Sequence, residues 1–214
     1  MYTDDFEIRY DDEEIVEEDC LPECEESEEE ESPEIGEDQE KNEGGCDGEG
    51  IYEDILPYPP IENIQPNKLY AAIVKNLYSG MVSEMTASTQ YFYNSCVLRN
   101  CYEEAYEAFK RIMIVEMHHM EMLSRVILAL GGDVKFTYRT HTGENVWSVR
   151  FLRYSRTARQ ILLEAILAEE NAIECYTDAC EAIKDENVTC VLKRIIMDER
   201  KHLEVFKELY QKII

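Results

Sequence analysis

Ile114-Val115-Glu116-Met117-His118-His119 and Met197-Asp198-Glu199-Arg200-Lys201-His202 decide the reading of this chain. Each stretch holds a glutamate followed three residues later by a histidine. On an α-helix that spacing is close to one turn, so carboxylate and imidazole project from one face and can grip one cation. Two further glutamates, Glu84 and Glu169, are each followed seven residues later by a tyrosine, Tyr91 and Tyr176. Seven residues is about two turns, which puts each tyrosine on the face of its glutamate. One motif therefore occurs twice, Glu-x6-Tyr and then Glu-x2-His. It offers four carboxylates and two imidazoles to a dinuclear metal site inside a four-helix bundle.

The apolar pattern places these residues in a core. The last segment gives a seam Val188, Leu192, Ile195, Glu199, His202, Phe206, Leu209, Ile213. The second gives Tyr102, Ala105, Phe109, Ile112, Glu116, His119, Leu123, Val126, Leu130. The first runs Tyr70, Val74, Leu77, Met81, Glu84, Ser88, Tyr91, Ser95, Leu98, and the third Ala158, Leu162, Ala165, Glu169, Ala172, Tyr176, Ala179, Ile183. Steps of three and four mark one face of a helix, and all four glutamates and both histidines fall on that face. Uncompensated carboxylates there would each cost several kcal/mol, so cations are expected to accompany them.

Charge divides the 214 residues unevenly. Residues 1–54 hold 26 of the 47 acidic residues and only Arg9 and Lys41 as bases, a net of −24, while the remainder is close to neutral. Dense like charge with few large apolar residues cannot offset chain entropy, so 1–56 is expected to be a disordered acidic tail and 57–214 the folded bundle. The acidic opening Met1-Tyr2-Thr3-Asp4-Asp5 leads into no apolar run, so neither a signal peptide nor a membrane span is expected and cytoplasmic location is the default. A nearly neutral bundle behind an acidic tail excludes nucleic acid as a partner. Eight cysteines in a chain of this size point to thiols rather than a disulfide framework. Cys96, Cys101, Cys175, Cys180 and Cys190 are expected to be buried, and the roles of Cys20, Cys24 and Cys46 stay open.

The connections set the topology. Pro57, Pro59, Pro60 and Pro66 mark an extended lead-in, and Asn67 can cap a first helix running to about 97. The second helix ends at Gly131-Gly132, the third spans about 155–184, and the fourth starts at Val188. Residues 133–154 have no helical stripe and are too many for a tight turn, so they read as a crossover along the bundle. Short, long and short connections give an all-α bundle with one crossover between its second and third helices. Arg150, Arg153, Arg156 and Arg159 form a solvated basic face.

Over residues 66–214 the repeated motifs resemble the ferritin-like superfamily, and within it the rubrerythrin-type bacterial diiron proteins. The resemblance implies Glu84, Glu116, His119, Glu169, Glu199 and His202 as metal ligands, with Glu116 and Glu199 bridging two irons and Tyr91 and Tyr176 beside them. It departs in two places: Ala172 stands where rubrerythrins usually carry a further glutamate, and there is no Cys-x2-Cys rubredoxin domain, so any electron donor would be a separate protein. The function implied is a diiron oxidoreductase that oxidises Fe(II) with O2 or hydrogen peroxide. Two alternatives stay open: a dimanganese catalase with two Mn ions, and a non-enzymatic iron-binding subunit docked to a larger assembly through its tail.

The assembly that the resemblance implies is a homo-oligomer, and its partners are O2 or hydrogen peroxide and that separate donor protein.

Overall fold

The computed structural model describes residues 52–213. Of the acidic tail expected over residues 1–56, residues 1–51, with Cys20, Cys24 and Cys46, lie outside them. In chain order the elements are α1 (Lys68–Ser79), α2 (Glu84–Leu98), α3 (Glu103–Ala129), a hairpin of β1 (Thr137–Thr140) and β2 (Gly143–Val146), a 3-10 turn (Val149–Phe151), α4 (Ala158–Ala182) and α5 (Glu186–Gln211). Helices α2 with α3, and α4 with α5, form the two hairpins of the expected all-α four-helix bundle. No helix among the described residues is long and apolar enough to cross a membrane.

Local chemistry sets the helix ends. The Asn67 side chain accepts from the backbone N–H groups of Leu69 and Tyr70 and so starts α1. At the end of α3, Gly131 takes φ +78°, a conformation that disfavours any residue with a Cβ. Its N–H bonds to Leu128 O, and the Gly132 N–H reaches back to Ile127 O at 2.9 Å, which satisfies the last carbonyls of the helix.

The first predicted helix is not continuous. It breaks at residues 80–83, and Met81, expected in the core seam, is exposed. Gly80 closes α1 in an extended conformation, and a Cβ there would run into the Asn76 carbonyl. The Ser83 hydroxyl then accepts from Thr86 N and caps α2, so Glu84 is the first residue of the new helix. The freed Gly80 carbonyl accepts from the hydroxyls of Ser83 and Thr86.

The long connection runs along these two helices as expected of a crossover. Arg139 N–H donates to Asn76 Oδ1 at 2.8 Å, Ser79 Oγ donates to Thr137 O, Trp147 Nε1 donates to Thr86 Oγ1, and Gln90 exchanges two hydrogen bonds with the Arg153 backbone. Its hairpin went unread because four-residue strands with a Thr140-to-Gly143 turn leave little periodicity to detect. The cysteine expectation needs correction as well: Cys96, Cys101 and Cys190 are exposed, and only Cys175 and Cys180 are partly buried. Each of the three sits on the outer face of its helix or in a turn, where a small thiol costs little to leave in water.

Apolar packing occurs in two cores. One contains Val74, Leu123, Val126, Leu192 and Ile195, and the other contains Phe109, Ile112, Leu162 and Phe206. On α3 the first polar motif falls between residues 112 and 122, and on α5 the second falls between residues 196 and 206. The polar groups therefore form a layer sealed above and below by hydrocarbon.

Candidate metal centre

Glu84, Glu116, His119, Glu169, Glu199 and His202 meet in that layer, and all six are buried. Two overlapping groups form, Glu84, Glu116, His119 and Glu199 on one side and Glu116, Glu169, Glu199 and His202 on the other, with ligand atoms within 4.8 Å of one another in each. Glu116 and Glu199 belong to both. Glu116 places Oε2 3.2 Å from His119 Nδ1 and Oε1 3.1 Å from His202 Nδ1. Glu199 likewise turns Oε1 toward His119 (3.2 Å) and Oε2 toward His202 (3.6 Å). Each of these carboxylates thus spans two positions, and the imidazole centroids lie 6.0 Å apart.

The tyrosines reach across the bundle. Tyr91 donates its hydroxyl to Glu169 Oε1 at 2.5 Å, and Tyr176 donates to Glu84 Oε1. Each is on the same helix face as its own glutamate but bonds the glutamate of the other half. The antiparallel packing of two similar hairpins brings these pairs together, which sequence spacing within one helix does not reveal.

Electrostatics in the layer are strained without cations. Burial pushes the Glu84 carboxyl well above the usual range, and the charges of Glu116 and Glu199 add to it. Burial does the same to Glu169, helped by Glu199. For Glu116, burial is outweighed by the His202 charge and by the hydrogen bond from His119, so its pKa falls. Both imidazoles are raised although burial opposes this: Asp198 and the shared glutamates hold the proton on His119, and Glu116 holds it on His202. Among the described residues, Glu116 Oε1, Glu199 Oε1 and both ring nitrogens of His202 have no hydrogen-bond partner. Buried polar atoms without partners are rare and costly, and three of these, Glu116 Oε1, Glu199 Oε1 and His202 Nδ1, lie among the grouped ligand atoms, as a donor set arranged for cations does. Four carboxylates and two imidazoles suit iron or manganese.

One part of the centre was missed in the sequence. Asp198 is fully buried and accepts from His119 Nε2 at 3.0 Å. Its other partners are Arg194 Nη1 (2.5 Å), the Tyr58 hydroxyl (2.5 Å) and the Asp54 N–H (2.6 Å). Arg194 in turn donates to the carbonyls of Leu56 and Asp54 and lies 4.1 Å from the centroid of the Tyr58 ring. Residues 52–58 thus form a strap held against α5. The available signal was an Arg and an Asp four residues apart on the buried side of α5, one of them adjacent to Glu199.

Glu170, next to Glu169, points the other way. It is exposed and pairs with Lys207 at 2.7 Å. Glu170→Ala is therefore expected to leave metal content unchanged and to alter stability by about 0–1 kcal/mol, as for other surface ion pairs. Glu169→Ala is expected to lose metal. Elemental analysis of both variants checks this, and the reverse result would mean that the α4 face is misassigned.

A family model described as Rubrerythrin matches residues 75–210. Among solved structures, the fold is similar to a manganese catalase, KatB, from Anabaena, with a TM-score of 0.66 and 20% identity over 75% of this chain and 80% of that one. It is also similar to the bacterioferritin of Desulfovibrio desulfuricans, with a TM-score of 0.58 and 23% identity over 68% of this chain and 82% of that one. Mycobacterium tuberculosis bacterioferritin BfrA gives a TM-score of 0.58 at 21% identity, covering 70% and 88%. Comparison with curated proteins gave no match.

Proposed function

Since this chain belongs to the rubrerythrin family, we propose that its buried layer holds two iron ions and that the protein oxidises Fe(II) with O2 or hydrogen peroxide. The observation that carries this reading is the double placement of Glu116 and Glu199, each with one oxygen toward each imidazole. In it, Glu84 and His119 complete one position, Glu169 and His202 the other.

Two iron ions held by Glu84, Glu116, His119, Glu169, Glu199 and His202 would supply two electrons to one oxidant. The chain's own groups prepare that encounter. Tyr91 and Tyr176 fix the two outer carboxylates by donating to one oxygen of each, which leaves the second oxygen free to bind. The α2 break puts Glu84 at a helix N-terminus, where unpaired N–H groups favour negative charge. The Phe109 and Phe206 rings, 4.7 Å apart, pack against Tyr91 and keep bulk water out of the layer from below.

The likeness to a manganese catalase supports a second reading, disproportionation of peroxide with two manganese ions. Stopped-flow absorbance separates the two. Fe(II) added aerobically to metal-free protein should be oxidised faster than in buffer. Manganese-loaded protein that evolves O2 from peroxide, with iron oxidation no faster than buffer, would favour the second reading. Neither activity in any metal state would leave a non-enzymatic iron-binding subunit.

A further inference from the structure

The inner ligand set is symmetric. Each position has one outer glutamate, one histidine, two shared glutamates and a tyrosine hydroxyl on its outer glutamate. The layer behind it is not. The residue before Glu199 is Asp198, whereas the residue before Glu116 is Val115. Five residues before each shared glutamate stands an arginine, but Arg194 is buried against Asp198 while Arg111 is exposed. The strap, with Tyr58 and the Asp54 N–H, closes over the Asp198 side alone.

The consequence falls on the two histidines. His119 donates Nε2–H to a carboxylate that is itself held by three other groups, so its ring is locked with Nδ1 facing the shared glutamates. His202 is equally buried, but its Nε2 has no partner among the described residues. A histidine whose far nitrogen bonds a carboxylate is both better oriented and a stronger donor than one without that support.

We infer that the two metal positions are inequivalent: the one formed by Glu84, Glu116, His119 and Glu199 binds its ion more tightly and fills first, with Asp198 and the strap residue Tyr58 as its positioning residues. This rests on the dinuclear reading above and adds an order of filling and a role for the segment before α1. Loss of such supporting partners commonly costs roughly 10- to 100-fold in metal affinity, which sets the size of the expected difference.

The test uses the full chain, freed of metal and crystallised with one equivalent of Mn(II), with occupancy read from anomalous scattering. The wild type should show density mainly at the His119 position. Tyr58→Phe, a mild change that removes one hydroxyl, and Asp198→Asn should each shift occupancy toward the His202 position. A Mn(II) titration by calorimetry should show two steps in the wild type, with the tighter one weakened by either variant. Equal occupancy in the wild type, or variants that leave the distribution unchanged, would overturn the inference. Absence of Mn(II) from both positions at saturation would instead overturn the dinuclear reading itself.

Discussion

Glu116→Ala is expected to reduce bound metal at saturation from two ions per chain to at most one, and to abolish accelerated Fe(II) oxidation with it. The reason is geometric. One oxygen of Glu116 faces each imidazole, so a single substitution takes a ligand from both positions. Glu199→Ala should do the same, whereas Glu84→Ala should spare the His202 position, because Glu84 belongs to one group only. The metal-free protein should suffer too. The carboxylates around His119 and His202 raise both imidazoles' pKa values and so favour their charged forms, and breaking a buried ion pair costs about 3–5 kcal/mol. Elemental analysis and denaturant melts measure the two effects. A Glu116→Ala protein that still binds two ions would remove the bridging role.

Much of this centre was legible because its periodicities are local. Glu116 with His119, and Glu199 with His202, need only the pitch of a helix. The seam around each was long enough to show that these residues face inward, and every one of them is buried. The break before α2 was hidden by the same signal. Tyr70, Val74, Leu77, Met81 and Glu84 keep a helical rhythm through residues that are not helical, and beside its local caps the break is held by hydrogen bonds from the crossover, about 60 residues away. Tyr58 and Asp198 lie 140 residues apart, so no pattern within one segment joins them. Asp198 itself stood in plain view, but an acid beside a ligand reads as a solvated helix residue until Arg194 and the strap are seen to enclose it.

The same enclosure is where the two halves stop being copies of one another. Repetition of Glu-x6-Tyr and Glu-x2-His gives equal ligands, and the differences sit one residue outward, at Val115 and Asp198.

Metal uptake is expected to release protons, about four for each pair of divalent cations, and to strengthen as pH rises. Without metal, charge in the buried layer must balance by other means. Glu84 and Glu169 have raised pKa values, chiefly from burial, and both histidines are raised by the carboxylates around them. Four protons then stand in for two cations, with Glu116 and Glu199, both lowered, left as the anions. Calorimetry in buffers of different ionisation enthalpy counts the protons, and a release near zero would refute this balance. The sign for stability follows. Groups with raised pKa stabilise the metal-free fold below their unfolded values, about 4.3 for Glu and 6.5 for His, and that stability is lost as pH rises through the raised values. Glu116, Glu199 and Asp198 act oppositely: their contribution is present above about 4 and lost as pH falls through the lowered values. Metal-free protein should therefore melt highest near pH 4 to 5 and lose stability toward alkaline pH. Bound cations remove that alkaline loss, because they occupy the layer in place of the protons, so the gap between loaded and metal-free melting temperatures should widen as pH increases.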